Sequence, residues 1–219
     1  MDKIKDINLE ETFSLAVQNH QNNNIHDAQN YYQKVLEIDP EHESANNNLG
    51  VLFQSMGDFH KAKDCFEKAI KINPNYADAH SNLGLSLKKL RENKKAIIHF
   101  KKAIEINPSF LNAHNNLGDI FEQLNKYPEA IACFERVIKI DPNFKDGYKN
   151  LGVLFWKLGE FKEAKKYYEK MFNFHPIDDS TYIDFGNLLL LLNEHNNALR
   201  FISKGTGVIV FTKTGLKVI

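Results

Sequence analysis

The chain has 219 residues, 42% hydrophobic and 26% charged, the composition of an ordinary soluble protein with enough apolar material for one large domain or a run of small units. Its 28 basic and 28 acidic side chains cancel, which argues against broad electrostatic capture of nucleic acid or of an anionic membrane. No apolar run approaches the roughly 20 residues of a membrane-spanning helix. The alternating charges from Met1 to Asp6 lack the apolar core of a secretory signal, so a cytoplasmic address is expected.

Residues 1–8 read as a leader. From Leu9 onward the chain repeats itself, and the prolines mark the period: Pro40, Pro74, Pro108, Pro142 and Pro176 follow one another at intervals of 34, with only Pro128 outside the series. The units are 9–42, 43–76, 77–110, 111–144 and 145–178, with a degenerate sixth at 179–204. Each begins with a helical stripe such as Leu49, Gly50 and Phe53, and continues with a second such as Ala62, Phe66 and Ala69. Two amphipathic helices per unit follow from this spacing.

The junction between the paired helices falls at Asn23, Gly57, Arg91, Asn125, Gly159 and Asn193. Glycine and asparagine tolerate the left-handed conformation of a helix end, so Arg91 is expected to carry strain. Asp58 is placed to cap the second helix of its unit, and Pro128 falls in a first turn, where its missing N–H costs little. Asn73, Asn107 and Asp141, each followed by proline, are expected to end the second helices. Cys65 and Cys133 stand one residue before the aromatic of the second helix, two units apart, and read as small buried hydrophobes rather than a disulfide.

A 34-residue unit with Leu-Gly, an aromatic three residues later, then Ala, aromatic and Pro resembles the tetratricopeptide repeat. The residues that carry the likeness are Asn82-Leu83-Gly84, Ala96, Phe100 and Pro108, and their counterparts one period on, Asn116-Leu117-Gly118, Ala130, Phe134 and Pro142. Unit one departs at Ala16 and Asn19, and unit six at Ile202, Gly205 and Val210. The resemblance implies an all-α, right-handed superhelical solenoid of five to six helix-turn-helix units. It also extends to the superhelix of O-linked N-acetylglucosamine transferases, within the repeats only.

Residues 205–219 change character. Val208 to Thr212 is β-branched and aromatic, and Leu216 to Ile219 could pair with it after a turn at Lys213-Thr214-Gly215. This β-prone tail reads either as the opening strand of a second domain or as a hairpin capping the array, and its apolar edge offers a route to self-association.

No enzyme is indicated: the chain has no Gly-Lys-Ser/Thr phosphate loop, no Gly-x-Ser-x-Gly and no Cys-x-x-Cys. No cofactor or metal is expected. His80 and His114 share a first-helix packing position, His26 and His60 open second helices, and no His-x-x-x-His pair occurs. Asp178-Asp179 and Glu41-His42-Glu43 read as solvated charges between units.

What remains is the concave face that the resemblance implies for the first helices. Asn48, Asn82, Asn116 and Asn150 recur there one per unit, and their amides suit the backbone of an extended segment. Gln54, Lys88, Glu122 and Trp156 share a second position, with Lys89, Lys149 and Lys157 nearby. Lys149 is followed one turn on by Val153, which disfavours the carboxylate clamp of tetratricopeptide co-chaperones. The expected function is a protein-interaction scaffold with a peptide or protein partner. The alternative is the substrate-recruiting arm of a larger glycosyltransferase or oxygenase.

Overall fold

The computed structural model describes residues 8–174, 176–205, 209–212 and 215–218, the last two stretches as backbone only. Twelve α-helices succeed one another among these residues: α1 Leu9–Gln21, α2 Ile25–Ile38, α3 Glu43–Ser55, α4 Phe59–Ile72, α5 Ala77–Lys89, α6 Asn93–Ile106, α7 Leu111–Gln123, α8 Tyr127–Ile140, α9 Lys145–Lys157, α10 Phe161–Met171, α11 Asp179–Leu191 and α12 His195–Ile202. The fold is an all-α solenoid in which odd-numbered helices open each repeat and even-numbered helices close it. The chain packs as two compact units, one ending at Ile120 and the other beginning at Phe121.

The pairing rests on one close approach. A Cβ added to Gly50 would lie 2.6 Å from the Phe66 ring, at Gly84 it would lie 2.8 Å from Phe100, and at Gly152 3.0 Å from Tyr168. Glycine on the first helix lets the aromatic sixteen residues later seat against its backbone. Phe66, Phe100 and Tyr168 are fully buried as a result, together with Ala62, Ala96 and Ala164 four residues before them. In unit one Ala16 stands at the glycine position, and Tyr32 is equally buried.

The turns follow the chemistry of the junction residues. Asn23, Arg91, Asn125 and Asn193 have φ between 57° and 61°, and Gly57 and Gly159 have φ of 79° and 77°. Arg91 therefore holds a conformation in which its Cβ crowds the backbone. The Asp58 side chain accepts from the Lys61 N–H at 3.1 Å, capping α4. Pro128 lies in the first turn of α8, and Asn73, Asn107 and Asp141 end their helices with extended backbone. Cys65 and Cys133 are both buried and neither is in a disulfide, and burial pushes the Cys65 thiol up to about 11.

Two first-turn assignments differ from the sequence expectation of solvated charge. His42 Nδ1 accepts from the Ala45 N–H at 3.2 Å and caps α3. Asp178 accepts from the Thr181 N–H at 2.9 Å and caps α11. Hydrogen bonds from Ser180 first, then from Thr181 and Lys149, hold the Asp178 carboxyl below the usual carboxylate range. These residues are where a helix N-terminus leaves orphan N–H groups, which a loop acceptor satisfies.

After α12 a short 3-10 turn, Ser203–Gly205, ends the helical array. Beyond it β1 Ile209–Thr212 pairs antiparallel with β2 Gly215–Val218, Ile209 opposite Val218 and Thr212 opposite Gly215. The β-prone tail is thus a hairpin. Lys213 and Thr214, between the two strands in sequence, lie outside the described residues.

The second unit also carries an aromatic cluster that the periodicity gave no reason to expect. Phe172 lies 5.0 Å from Phe185 and 4.9 Å from Phe201, and Phe185 meets Phe201 edge-on at 4.8 Å. Phe185 replaces the leucine of the other repeats, and these edge and tilted contacts make up for the shortened α12.

Arg91→Gly is expected to raise stability by about 1 kcal/mol, because the left-handed strain relieved exceeds the entropy that glycine adds to the unfolded chain. A urea titration checks it, with a higher midpoint at unchanged slope. Gly84→Ala is expected to cost about 1–3 kcal/mol through collision with Phe100, read in the same titration.

Candidate functional site

Helical geometry gives the first helix of each repeat two working sides. Leu49, Leu83 and Leu151 turn toward the partner helix and are buried. Asn48, Asn82, Asn116 and Asn150, each one residue earlier, are half-buried. The recurrence of asparagine beside a buried leucine therefore produces a polar stripe on α3, α5 and α7 in the first unit, and on α9 in the second.

The stripe is knitted together from within. The Asn82 amide donates to Asn47 Oδ1 at 3.2 Å, and the Asn47 amide donates to Asn48 Oδ1 at 3.3 Å. Gln54 donates to the Asn82 carbonyl and to Ser86 Oγ, both at 3.0 Å. One repeat on, Lys88 stands at the position of Gln54 and makes the equivalent reach, donating to Asn116 Oδ1 at 3.0 Å and to Asp119 Oδ2 at 2.6 Å. Its side chain is only 15% exposed. The Asn116 amide donates back to the Asn112 carbonyl at 2.9 Å.

The sequence suggested amides suited to the backbone of an extended segment. In the structure Asn48, Asn82, Asn116, Gln54 and Lys88 are bonded to one another or to close neighbours, several of them across successive repeats. The physical reason is the spacing of the first helices, which brings the last turn of one beside the middle of the next. Long side chains at the last-turn position reach the stripe of the following repeat.

In the second unit Lys157 donates to Glu122 Oε1 at 2.6 Å, and Lys149 to Asp178 Oδ2 at 3.1 Å. Trp156 is half-buried and packs against the core around Tyr168, Phe185 and Leu188. Lys89, in the first unit, is exposed. Both ion pairs join partly exposed side chains, so each contributes roughly 0–1 kcal/mol.

A second periodic contact was not foreseen. The residue three before the repeat leucine reaches back to the carbonyl of the boundary proline: Asn46 to Pro40 at 3.2 Å, His80 to Pro74 at 3.1 Å, His114 to Pro108 at 3.1 Å and Tyr148 to Pro142 at 3.1 Å. Three side-chain types satisfy one acceptor, which hides the rule from identity-based reading.

Position-by-position substitution also explains Asn48. Repeat one has tyrosine where repeats two to four have phenylalanine, and the Tyr32 hydroxyl lies 3.3 Å from His20 Nδ1, with the Asn48 side chain offsetting part of the rise that burial gives its pKa. Repeat five again has tyrosine, and the residue equivalent to Asn48 is Asp184. The Tyr168 hydroxyl is buried without a hydrogen-bond partner. Burial, with Asp184 and Asp178 adding to it, raises its pKa.

His80 and His99, nineteen residues apart, meet with their Nδ1 atoms at 3.1 Å. Burial lowers both below the ordinary histidine value, His99 to about 4 with the proximity of His80 contributing. Among the described residues no group of three or more metal-ligating side chains occurs, and no helix is long and apolar enough to cross a membrane.

Comparison with known proteins places this geometry. Models of the tetratricopeptide repeat match residues 44–76, 77–110 and 111–144, and in a second form residues 15–42 and 146–173. No curated protein sequence matches the chain. Among solved structures, PilF of Pseudomonas aeruginosa superposes with a TM-score of 0.80 at 22% identity, covering 88% of each chain. MamA matches with a TM-score of 0.69 at 24% identity over 75% of this chain and 90% of its own. YrrB, described as having an unusual peptide-binding site, matches with a TM-score of 0.64 at 23% identity over 88% and 91%. At these identities the likeness is one of fold.

Two outcomes are expected. Tyr168→Phe removes an unpartnered buried hydroxyl and should leave stability unchanged or raise it by up to about 1 kcal/mol, measured by thermal or urea unfolding. The histidine pair should make stability fall as pH drops from about 6.5 toward 4: the unfolded chain takes up protons near 6.5 while folded His99 resists them until about 4. Lys102 and Glu105 act on His80 with opposite sign, the first lowering and the second raising its pKa. The loss should be smaller in His99→Tyr, compared by melting temperature at each pH.

Proposed function

The chain belongs to the tetratricopeptide repeat family, and from that premise we propose that it is a non-enzymatic scaffold holding an extended peptide or protein segment along the face of its first helices. The observation that carries this reading is the set of half-buried asparagines, one in each of repeats two to five, set beside buried leucines. Amides present a donor and an acceptor at the repeat interval, which suits a polypeptide backbone more than any one side chain.

The internal bonds of the stripe shape how such a segment is held. A bound backbone exchanges with Asn82–Asn47 and Lys88–Asn116 contacts rather than meeting vacant groups, so each new bond contributes only about 0.5–1.5 kcal/mol net. Selectivity then rests with side chains that differ from repeat to repeat. Gln54 is neutral, Lys88 is already neutralised by Asp119, Glu122 is paired with Lys157, and Trp156 offers an aromatic surface of the type enriched at binding hot spots. YrrB, of the same fold, is described as binding peptide, which supports a peptide partner without identifying it.

A displayed library of random peptides, selected on the wild-type chain, tests the reading. The selected peptide is expected to bind the Asn82→Ala, Asn116→Ala, Asn150→Ala triple variant about tenfold or more weakly, roughly 1.4 kcal/mol per factor of ten. Fluorescence anisotropy measures the affinity, and circular dichroism confirms the helical content. Unchanged affinity in a folded triple variant would exclude the stripe as the binding surface.

A further inference from the structure

In the first unit an amide and a carboxylate, one helical turn apart on a first helix, hold an ammonium between them. Asn116 and Asp119 on α7 take the Lys88 Nζ from α5 at 3.0 and 2.6 Å. Asp184 and Asn187 on α11 stand at the same two repeat positions, two periods on, with carboxylate and amide exchanged. The residue at the position of Lys88 is there Trp156. The register that supplies an ammonium from α5 therefore supplies an indole from α9, and the second pair lacks the cation that the first pair has.

Asp184 is half-buried, and no hydrogen bond or ion pair to its carboxylate occurs among the described residues. Burial raises its pKa, with Lys149 opposing the rise and Asp178 adding to it. Lys149 is itself bonded to Asp178 Oδ2 at 3.1 Å, so its charge is shared between two carboxylates. Two carboxylates and one ammonium leave this part of the second unit negative. A carboxylate that has lost water without gaining a partner is stabilised by a nearby cation.

We propose, resting on the scaffold reading, that Asp184 and Asn187, with Trp156 beside them, form a subsite for a basic side chain, lysine or arginine, of the segment held along the first helices. Its cation takes the place between carboxylate and amide that Lys88 holds in the first unit, with a charge-assisted bond to Asp184. Trp156, half-buried against the core around Phe185 and Leu188, adds the ring type to which a cation within about 6 Å is most strongly drawn. An acidic segment meets like charge at the same place. The partner class is thereby narrowed from any extended polypeptide to one with a basic residue.

Peptides selected from the random library on the wild-type chain test the subsite separately from the groove. They are expected to carry a basic residue, and glutamine in its place in the peptide should weaken binding about tenfold. Asp184→Asn, which restores the residue of repeats two to five, should weaken the parent peptide by a similar factor. It should leave the glutamine peptide nearly unaffected, because the two changes remove the same contact. Fluorescence anisotropy reads the four affinities. Trp156 is the only tryptophan of the chain, and its emission should shift more with the basic peptide than with the glutamine one. Selected peptides without a basic residue overturn the subsite and leave the groove standing, as does an Asp184→Asn chain that tells the two peptides apart as well as the wild type does. Should that variant fail to fold, the glutamine peptide on the wild-type chain decides alone. Unchanged affinity in the triple asparagine variant counts against the groove instead, so the two failures are distinct.

Discussion

The structure depends on one contact, the seating of a buried ring against the backbone of a helix that has no side chain in its way. Gly50 under Phe66, Gly84 under Phe100 and Gly152 under Tyr168 each leave less than a methyl group of room. Where close packing of this kind is complete, the distance between the paired helices is fixed, and small residues such as Ala62, Ala96 and Ala164 are required beside the ring. The 34-residue period is the sequence trace of that constraint. Gly186 opposite Ile202 shows how it relaxes: the aliphatic branch comes as close as the rings do, while Phe172, Phe185 and Phe201 supply the aromatic packing from other positions.

A fixed interhelical distance also determines what the polar side chains do. Once α3, α5 and α7 stand at regular spacing, a last-turn side chain reaches the middle of the next first helix. Gln54 and Lys88 make that reach with different chemistry, the first to a carbonyl and a hydroxyl, the second to an amide and a carboxylate. The polar stripe is therefore part of the cohesion between repeats, and in the proposed role it is also the surface that meets a partner. This dual use makes the amides costly to vacate and favours a weakly held, exchangeable segment over a rigid ligand.

Much of the fold was legible in the sequence because its determinants are local. Proline at the boundaries, glycine or asparagine at every left-handed junction but that of Arg91, and small residues opposite each aromatic act within a few residues or one helical pair. The capping roles of His42 and Asp178 were not legible, since charged residues between helices have the same composition whether solvated or bonded to a helix terminus. The bonds to the boundary proline were hidden because asparagine, histidine and tyrosine all make them. A shared acceptor leaves no shared residue type.

By itself the sequence determined the repeat, the helix pairs, the strained turn at Arg91 and the place of an asparagine beside the leucine in repeats two to five, because each follows from periodicity and short-range stereochemistry. Only the tertiary structure decided that several of those asparagines are already bonded across repeats, that the Tyr32 hydroxyl meets His20 while that of Tyr168 is left alone, and that His80 faces His99. These are relations between residues 12 to 35 apart, on different helices. They are fixed by how far a side chain extends across the gap between packed helices, a length that no spacing along the chain records.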